Sequence, residues 1–561
     1  MLSARREHPE RFKSILSLML LTGVALLCFP LVLQAAPSPT DFSSPSRKNL
    51  ESQARAAHKA GNWLLAVRCY DELIHGKEKP SAEVREAYQE CLRRYSLQRR
   101  HGDRLYHDSL GKLEQRDALA ILDQVLETLS KSYFDPHKTD PGALFRNGLQ
   151  EIAYALDDEA FTKQYLPTAD KKVLDALRVR LEELKAQRVT NSQQCRDAIV
   201  PFARYAHQQG AVANVQRAAV LFALEFACGA CNSLDEYTLY LTPFHLNALR
   251  GRYVGVGVDL AITDQKVVIS RVYPNSPAED AKLAAGDRVQ QIDSQDVDGM
   301  APDAVAERLL GEPDTIIELD VLSDNPMNPG EPIKSHIRLV RRAVATPTVE
   351  HRMAGTMGSG LEDVGYLRIH SFQETTPKEV QEALAQLQTA GIKGLILDLR
   401  GNPGGLFKAA VQVSDLFLGE NSIIVFTQGQ LKEFNKPYKA EGGNPFQAPV
   451  VVLVDGDTAS SAEILAAALK ENGKAKLFGQ TTFGKGTIQQ IIPLNHAGGG
   501  IRVTVARFSS PLKTLVAGSG VVPNVTVVET ESDATYSRAL NELLLLLGKM
   551  PMSMSPMMSG Q

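Results

Sequence analysis

Two apolar runs in the C-terminal part of the chain constrain its fold more than any other feature. The first, GLILDLR, spans residues 394–400, and the second, APVVVLV, spans residues 448–454. A strand that is apolar at consecutive positions is typically covered on both faces, as in a sheet between helices. The segments TPKEVQEALAQLQTAG and LFKAAVQVSDLFL, on either side of the first run, have the spacing of amphipathic helices. We therefore predict a layered α/β core over residues 346–535.

The chain has 561 residues, which is too long for one core, and its apolar period changes along its length. Residues 37–100 predict a Pro- and Ser-rich linker and then a helical hairpin, either similar to one tetratricopeptide unit or an ordinary hairpin. Residues 101–250 predict further helices, and residues 251–345 predict short strands separated by turns. Residues 536–561 predict a C-terminal helix and a Met-rich tail. The expected fold class is multidomain α/β, with a helical N-terminal region and a small β domain before the core.

The N-terminal residues 1–36 predict export from the cytoplasm. Four basic residues precede an apolar run that is closed by small residues, which is the pattern of a signal peptide. The run is long for a cleaved signal and Gln34 fits a cleavage site poorly, so an uncleaved membrane anchor stays open as the alternative. Either form places the rest of the chain outside the cytoplasm, in the periplasm or cell envelope.

Charge and cysteine content exclude some function classes. The net charge of −4 argues against a nucleic-acid-binding protein. Cys228 and Cys231 form a C-x-x-C pair, but no second ligand pair follows at the spacing of a zinc site. We predict a structural disulfide or two buried helix thiols at this pair, and we expect neither a metal nor a cofactor.

The segment DGDTASSAEILAAAL, residues 455–469, predicts a helix that starts directly after a buried strand. Ser460 and Glu463 fit the capping box, in which a Ser and a Glu three residues later satisfy exposed amides at a helix start. The same position suits a catalytic serine, because the amides at a helix start favour negative charge. The sequence thus leaves two roles open for Ser460, and Ser461 is the alternative nucleophile.

The segment LFGQTTFGKGTIQ, residues 477–489, contains a candidate general base, Lys485. A lysine can accept the proton of a serine only if burial lowers its pKa toward neutrality, and the glycines on either side would allow close backbone packing. If a strand follows, Lys485, Thr487 and Gln489 share one face, and Gln489 can orient the amine. The segment nearly matches a P-loop, but Gly486 replaces the required Ser or Thr and the residues that follow are β-branched.

The glycine-rich segment RGNPGG, residues 400–405, supplies candidate donors for an oxyanion hole. A peptidase needs backbone amides that point at the charge that develops on the substrate carbonyl. We predict that Gly404 or Gly405 provides one amide and Ser461 the other. The alternative is an ordinary glycine turn between strand and helix.

A segment of the β region resembles a PDZ domain. The resemblance depends on the run NSPAEDAKLAAGDRVQQIDSQDV, residues 275–297, and on a glycine-containing loop before it. Such a loop directs amides at a terminal carboxylate while the peptide adds as a strand to an open sheet edge. The predicted peptide-binding residues are Gly255, Val256, Gly257 and Val258.

Four segments together resemble the carboxyl-terminal processing proteases, tail-specific serine endopeptidases with a Ser–Lys centre. They are LILDLRGNPGG, DGDTASSAEILAAAL, LFGQTTFGKGTIQ and GSGVVPNV, and the resemblance extends over residues 150–532. It implies that Ser460 is the nucleophile, Lys485 the general base and Gln489 its orienting partner. It also implies a crotonase-like core and a PDZ-like domain that captures substrate C-termini. The chain departs from the usual pattern at Ala462, Asn524 and residues 511–513.

The predicted function is an exported serine endopeptidase that acts on proteins or peptides with accessible C-termini. The alternative is an inactive protease-fold scaffold or peptide-binding protein of the cell envelope, which would require none of Ser460, Lys485 and Gln489. Expected partners beyond the substrate are a helical-repeat adaptor, a second copy of the chain, and a membrane reached through residues 1–36; nucleic acid is not expected.

Overall fold

The computed structural model describes most of the chain. The predicted signal segment, the Pro- and Ser-rich linker and the Met-rich tail lie outside the described residues. The described residues belong to two compact units, one of residues 47–246 and 349–550, the other of residues 247–348. The described ranges are 47–74, 80–242, 246, 254–263, 266–297, 300, 302–311, 313–324, 331–344, 347–355, 360–496, 499–528 and 533–550.

The N-terminal part of the first unit is helical, as the sequence predicts. Polar side chains before several helices accept a first-turn amide, which satisfies a donor that has no partner within the helix; examples are Ser81, Asp140 and Asn214. The helices are α1 Arg47–Lys59, α2 Trp63–Ile74, α3 Ala82–Gly102, α4 Arg104–Lys112, α5 Gln115–Ser132, α6 Pro141–Asp157, α7 Glu159–Tyr165, α8 Lys171–Lys185, α9 Ser192–Asp197, α10 Ile199–Gln208 and α11 Val215–Asn232.

Helix α11 lies at the centre of this helical region. Every residue from Ala218 to Asn232 is buried, which is expected of a helix that is apolar on all sides. It carries Cys228 and Cys231, which are buried free thiols. Burial raises the pKa of both thiols. Of the two alternatives for this pair, the structure has the buried helix thiols and no disulfide.

The C-terminal part of the first unit is an α/β core built on two sheets. The first sheet has the order β10-β11-β12-β15-β16-β19 and is parallel except for β10. All residues of β12 and β15 are buried, which confirms the two predicted apolar strands. The strands are β10 Val349–Met353, β11 Val364–Ile369, β12 Gly394–Asp398, β15 Val450–Val454, β16 Ala475–Gly479 and β19 Val525–Thr526.

The second sheet joins the helical region to the core. Strand β1, Leu239–Leu241, follows helix α11 and pairs antiparallel with β18, Gly500–Ser509, so that Leu239 is opposite Arg502. The sheet order is β1-β18-β13-β14, and β17 also pairs with β18. The remaining elements of the core are β13 Ile423–Gly429, β14 Pro437–Lys439, β17 Thr487–Pro493, α14 Thr376–Thr389, α15 Phe407–Asp415, α16 Ser461–Glu471 and α17 Ala534–Leu546.

The second unit is a small β domain with its own apolar core. Its main sheet has the order β3-β4-β5-β7-β8, so among the described residues β3 is an edge strand; β6 pairs with β5, and β2 pairs with β9. Its elements are β2 Val254–Gly255, β3 Val258–Thr263, β4 Lys266–Val272, α12 Pro277–Asp280, β5 Arg288–Ile292, β6 Gln295–Asp296, α13 Pro302–Leu309, β7 Ile316–Ser323, β8 Ile333–Val340 and β9 Arg342–Ala343.

Candidate active site

Ser460 stands at the turn between strand β15 and helix α16. The Asp455 carboxylate stabilises this turn, because its Oδ1 accepts the amides of Thr458 at 2.8 Å and of Gly401 at 3.0 Å. Ser460 has a φ of 54°, which is uncommon for a residue other than glycine and often marks a functional turn. Its side chain keeps an exposure of 8%, whereas that of Ser461 is 2%. The turn therefore presents Ser460 at a helix start, where the peptide dipoles favour negative charge.

The Glu463 carboxylate connects the segments that carry Ser460 and Lys485. Its Oε2 accepts the backbone amide of Ser460 at 2.7 Å and that of Lys485 at 2.9 Å. Its Oε1 accepts the Gly484 amide at 2.7 Å and the Thr482 hydroxyl. Burial raises the pKa of Glu463, and these donors oppose that rise. The capping residue predicted from sequence is thus also a link between two segments of the site.

Lys485 lies in an environment that favours a neutral amine. Its side chain is 5% exposed. Burial, followed by the nearby charge of Arg502, lowers the pKa of Lys485 from 10.5 to about 7. Asp235, Glu236 and Glu463 act in the opposite direction, because negative charge favours the ammonium form. A lysine with this pKa can serve as a general base near neutral pH.

The glycines on both sides of Lys485 allow a second chain segment to approach closely. A Cβ atom on Gly484 would lie 3.0 Å from Gly520 N, and one on Gly486 would lie 2.5 Å from Ala517 N. The Gly518 amide also donates to Gly484 O at 2.8 Å. This packing of backbone against backbone removes water from around the lysine.

Gln489 lies on strand β17, but Lys485 precedes that strand. The Gln489 amide nitrogen donates to the hydroxyl of Thr487 at 2.9 Å and to that of Thr504 at 3.4 Å. Because β17 begins at Thr487, the two-residue strand period does not extend to Lys485. The strand predicted after Lys485 is present, and the Thr487 and Gln489 side chains meet on it. For Lys485, which precedes the strand, a shared face stays a prediction.

The glycine turn after β12 packs directly against the start of helix α16. A Cβ atom on Gly404 would lie 2.7 Å from Ser460 Cβ and 2.8 Å from Ser461 N, so only glycine fits there. The Gly404 amide donates to Asn402 Oδ1 at 2.8 Å, and the Ser461 hydroxyl donates to Gly405 O at 3.0 Å. The three predicted oxyanion donors are thus close to Ser460, but the amide of Gly404 already has an acceptor.

An ion-pair network supports the same turn, and the sequence analysis missed it. Arg400 Nη2 lies 2.6 Å from Asp398 Oδ2, and Arg400 Nη1 lies 2.5 Å from Asp533 Oδ1. Burial would raise the pKa of Asp398, but Arg400 holds it below its ordinary value. Tyr366 also donates its hydroxyl to Asp398 at 2.8 Å. The pairing of Asp398 with Arg400 could have been suspected from the DLR sequence, but that with Asp533 is long-range.

The turn between helix α11 and strand β1 also reaches the site, and no sequence signal pointed to it. Asp235 Oδ1 accepts the amides of Tyr237 at 2.8 Å and of Thr238 at 2.6 Å. The ring of Tyr237 has its centroid 4.3 Å from Lys485 Nζ. Arg502 Nε donates to the Tyr237 carbonyl at 2.9 Å. The helical region therefore contributes directly to the surroundings of the candidate base.

The predicted peptide-binding residues lie in the second unit, in a shorter loop than the sequence suggested. Gly255 ends β2 and Val258 begins β3, so only Val256 and Gly257 lie between the strands. Their carbonyls accept the amides of Ala278 at 2.8 Å and of Tyr273 at 2.9 Å. Gly257 has a φ of 83°, and a Cβ atom there would lie 2.2 Å from Ser276 Cβ. Glycine is therefore required at 257 by packing as well as by backbone conformation.

Among the described residues, no group of three or more His, Cys, Asp or Glu side chains is arranged to hold a metal ion. None of the helices there combines the length and the apolar character that crossing a membrane requires.

Two known sequence families match part of each unit. The sequence pattern of peptidase family S41 matches residues 363–527, and that of the PDZ domain matches residues 268–323. The match to the peptidase pattern includes Ser460, Lys485 and Gln489 within its bounds.

Curated relatives extend this result over a larger part of the chain. A carboxyl-terminal-processing protease of Synechocystis sp. is 34% identical over 329 residues, which cover 55% of this chain and 74% of the relative. A carboxy-terminal-processing protease of Bartonella bacilliformis is 31% identical, over 53% of this chain and 68% of the relative. A solved structure titled photosystem II D1 C-terminal processing protease is 26% identical over 73% of this chain and 93% of that chain, with a TM-score of 0.38. The chain belongs to the carboxyl-terminal-processing proteases, serine-type peptidases of family S41.

Proposed function

We propose that this peptidase is an exported endopeptidase that cleaves proteins or peptides with accessible C-termini through a centre of Ser460, Lys485 and Gln489. The observation that carries the proposal is the Glu463 carboxylate, which binds the segments of a helix-start serine and of a lysine whose pKa is about 7. A buried amine whose pKa is near neutral can act as a general base, whereas a structural lysine would be expected to have an ion-pair partner.

The proposed reaction begins when Ser460 Oγ attacks the carbonyl carbon of the scissile bond. The hydroxyl proton moves to the neutral Nζ of Lys485 as the new C–O bond forms, and the electron pair of the carbonyl moves to its oxygen. When the tetrahedral intermediate collapses, the C–N bond breaks and the Lys485 ammonium returns the proton to the leaving amine. Water then repeats the sequence on the acyl-enzyme and releases the new C-terminus.

We propose that the oxyanion accepts hydrogen bonds from the backbone amides of Ser461 and Gly405. Ser461 N is at the start of helix α16, where amides have no acceptor within the helix. Gly404 also packs against Ser460, but its amide donates to Asn402, so its use would require that bond to break. Gln489 is proposed to orient the Lys485 amine, with its own amide held by Thr487 and Thr504.

Ser460 is preferred to Ser461 as the nucleophile because of what the two hydroxyls contact. The Ser461 hydroxyl donates to the Gly405 carbonyl at 3.0 Å, and its side chain is the more buried of the two. The Ser461 hydroxyl therefore holds the helix start against the glycine turn, and we assign it a structural role.

The PDZ domain is proposed to bind the C-terminal tail of the substrate. Strand β3 is an edge strand to which a tail can add, and the Val256–Gly257 loop directly precedes it. Export and membrane association are proposed from residues 1–36 alone. The sequence likewise supports four further proposals. The first hairpin is similar to a tetratricopeptide unit, an adaptor binds it, the chain forms a homo-oligomer, and the core has the crotonase-like fold.

The test uses an unfolded reporter protein with an apolar C-terminus, prepared with a free or an amidated terminal carboxylate. We expect the parent to cleave the free form faster, and Ser460→Ala to cleave neither; mass spectrometry of the products gives the cleaved bonds. Equal rates on both forms would contradict tail recognition, and an active Ser460→Ala variant would contradict the centre. A Gly257→Val variant is unsuitable here, because its side chain would collide with Ser276.

A further inference from the structure

The aromatic ring of Tyr237 is the group that contacts the amine of Lys485 from the helical region. The centroid of the ring lies 4.3 Å from Nζ, a distance at which the negative face of an aromatic ring attracts a cation. We propose that Tyr237 is a positioning residue whose ring face holds the Lys485 amine and stabilises the ammonium formed during acylation. This inference rests on the proposed role of Lys485 as general base.

Hydrogen bonds fix the backbone of Tyr237 at both its amide and its carbonyl. Asp235 Oδ1 accepts the Tyr237 amide at 2.8 Å, and Arg502 Nε donates to the Tyr237 carbonyl at 2.9 Å. Tyr237 and Arg502 are both buried. A ring whose backbone is fixed on both sides can hold a flexible lysine side chain in one position, which a catalytic base requires.

The same turn also reaches the residue proposed to orient the amine. Thr238 Oγ1 accepts the Thr504 amide at 3.2 Å and lies 3.4 Å from Thr504 Oγ1. Thr504 Oγ1 in turn accepts the Gln489 amide nitrogen at 3.4 Å. The turn of residues 235–238 therefore contacts Lys485 through a ring and Gln489 through a pair of hydroxyls.

The charges around Lys485 explain why a neutral ring is useful there. Arg502 disfavours the ammonium form, whereas Asp235 and Glu236 of the turn and Glu463 of helix α16 favour it. Burial disfavours it most. An aromatic face stabilises the positive charge without adding an ionisable partner, which would capture the proton or raise the pKa of the lysine too far.

The test compares variants at Tyr237 with the same change at Tyr240, a buried tyrosine of strand β1 that packs edge-on against Tyr106. Both Tyr237→Phe and Tyr237→Met lose the hydroxyl that bonds to Glu236. Tyr237→Phe keeps the ring face, whereas Tyr237→Met keeps apolar volume without it, so the difference between the two variants isolates the ring. We measure kcat, KM and the pH profile of kcat/KM for these variants and for Tyr240→Met, with circular dichroism spectra to establish folding.

The expected results follow from the loss of the ring face alone. Relative to Tyr237→Phe, Tyr237→Met should lower kcat about tenfold with little change in KM, and should move the acid limb of the profile down by about 0.5–1 pH unit, because the ammonium loses a stabilising contact. Tyr240→Met should keep the midpoint of the parent. Tyr237→Phe loses the hydroxyl that bonds to Glu236, so its midpoint should not fall below that of the parent. A ring that merely excludes water would give the opposite sign, because water entering the site favours the ammonium.

Each other result overturns the inference. A midpoint in folded Tyr237→Met that is equal to or above that of Tyr237→Phe, or the same lowering in Tyr240→Met, would show that the ring face does not hold the amine. If Tyr237→Met does not fold, the comparison uses Phe and trifluorophenylalanine at 237, which have nearly the same shape; the fluorinated ring must have the lower midpoint. Lys485→Ala in the same assay separates the two proposals, because an active Lys485→Ala would refute the base itself.

Discussion

The backbone amides of Ser460 and Lys485 donate to the same atom, Oε2 of Glu463, at 2.7 and 2.9 Å. The two residues belong to different segments, a helix start and the residues before β17. A shared acceptor fixes the distance between their backbones. The relative position of the proposed nucleophile and the proposed base therefore depends on one buried carboxylate.

Glu463→Gln should lower kcat about a hundredfold with a smaller effect on KM, because misplacing catalytic groups by about 1 Å has effects of this size. A glutamine has one acceptor oxygen, so its NH₂ group would face at least one of the amides that the carboxylate now accepts. The measurement is kcat and KM on a peptide substrate. Glu471→Gln, at the other end of the same helix, is the matched control, because Glu471 also accepts a backbone amide, that of Leu512 at 2.7 Å. If the two variants were equally active, Glu463 would not have this role.

Ser460→Ala and Lys485→Ala should each reduce kcat by at least about a thousandfold, since each removes a reacting group. Ser461→Ala should stay active and lose about 1 kcal/mol of stability, because it removes one hydrogen bond, that to Gly405 O. Peptidase assays and urea unfolding check both parts. An inactive Ser461→Ala beside an active Ser460→Ala would exchange the two assignments.

Activity should rise with pH through a midpoint near 7, the pKa that burial and Arg502 give to Lys485. Below this pH the amine is an ammonium and cannot accept the proton of Ser460, whereas above it the amine is free. The measurement is kcat/KM from pH 5 to 9, with the fold checked at each pH. A rate that does not change over this range would argue against a lysine base.

Gln489→Ala should lower kcat about tenfold and keep measurable activity, because it removes an orienting group and leaves both reacting groups in place. Gln490→Ala, one residue further along β17 and on the other face, should be close to the parent in kcat. A Gln489→Ala variant with the kcat of the parent would remove this residue from the proposed centre.

The parts of the fold that the sequence predicted depend on local patterns. Strands β12 and β15 follow from their consecutive apolar residues, and the helix start at Ser460 follows from the capping pattern with Glu463. The motif indicated Lys485, but the sequence did not give the residue at which β17 begins, because the start of a strand depends on its pairing partner. Thr487 pairs with Arg507, a contact that no local pattern encodes.

The parts that the sequence did not predict depend on contacts between distant segments. Tyr237 meets Lys485 because β1 pairs with β18, which carries Arg502 and Thr504. The triple pairing of Asp398, Arg400 and Asp533 likewise forms only when helix α17 is in place. A single sequence shows which residues have the right chemistry, but not which of them the sheet topology brings together.

A final prediction concerns the buried carboxylate of Asp259 on edge strand β3 of the PDZ domain. Asp259 is 1% exposed, and burial raises its pKa from 3.8 to about 7 although both oxygens accept the Tyr273 hydroxyl, at 2.9 and 3.0 Å. Between these two pH values the folded domain binds a proton that the unfolded chain has released. The contribution of Asp259 to the stability of the domain should therefore be greatest below about pH 4 and should fall as the pH rises toward 7.

Asp259→Asn should remove this dependence, because the amide does not titrate and its oxygen can still accept the Tyr273 hydroxyl. Each pKa unit corresponds to about 1.4 kcal/mol, so the stability of the parent relative to the variant should fall by more than this amount between pH 5 and 8. The measurement is the rate of limited proteolysis within residues 258–297 of the full chain, in urea, at both pH values. Parallel pH dependence in the parent and in Asp259→Asn would show that another group titrates. The control is Asp280→Asn, which replaces an exposed carboxylate of the same domain.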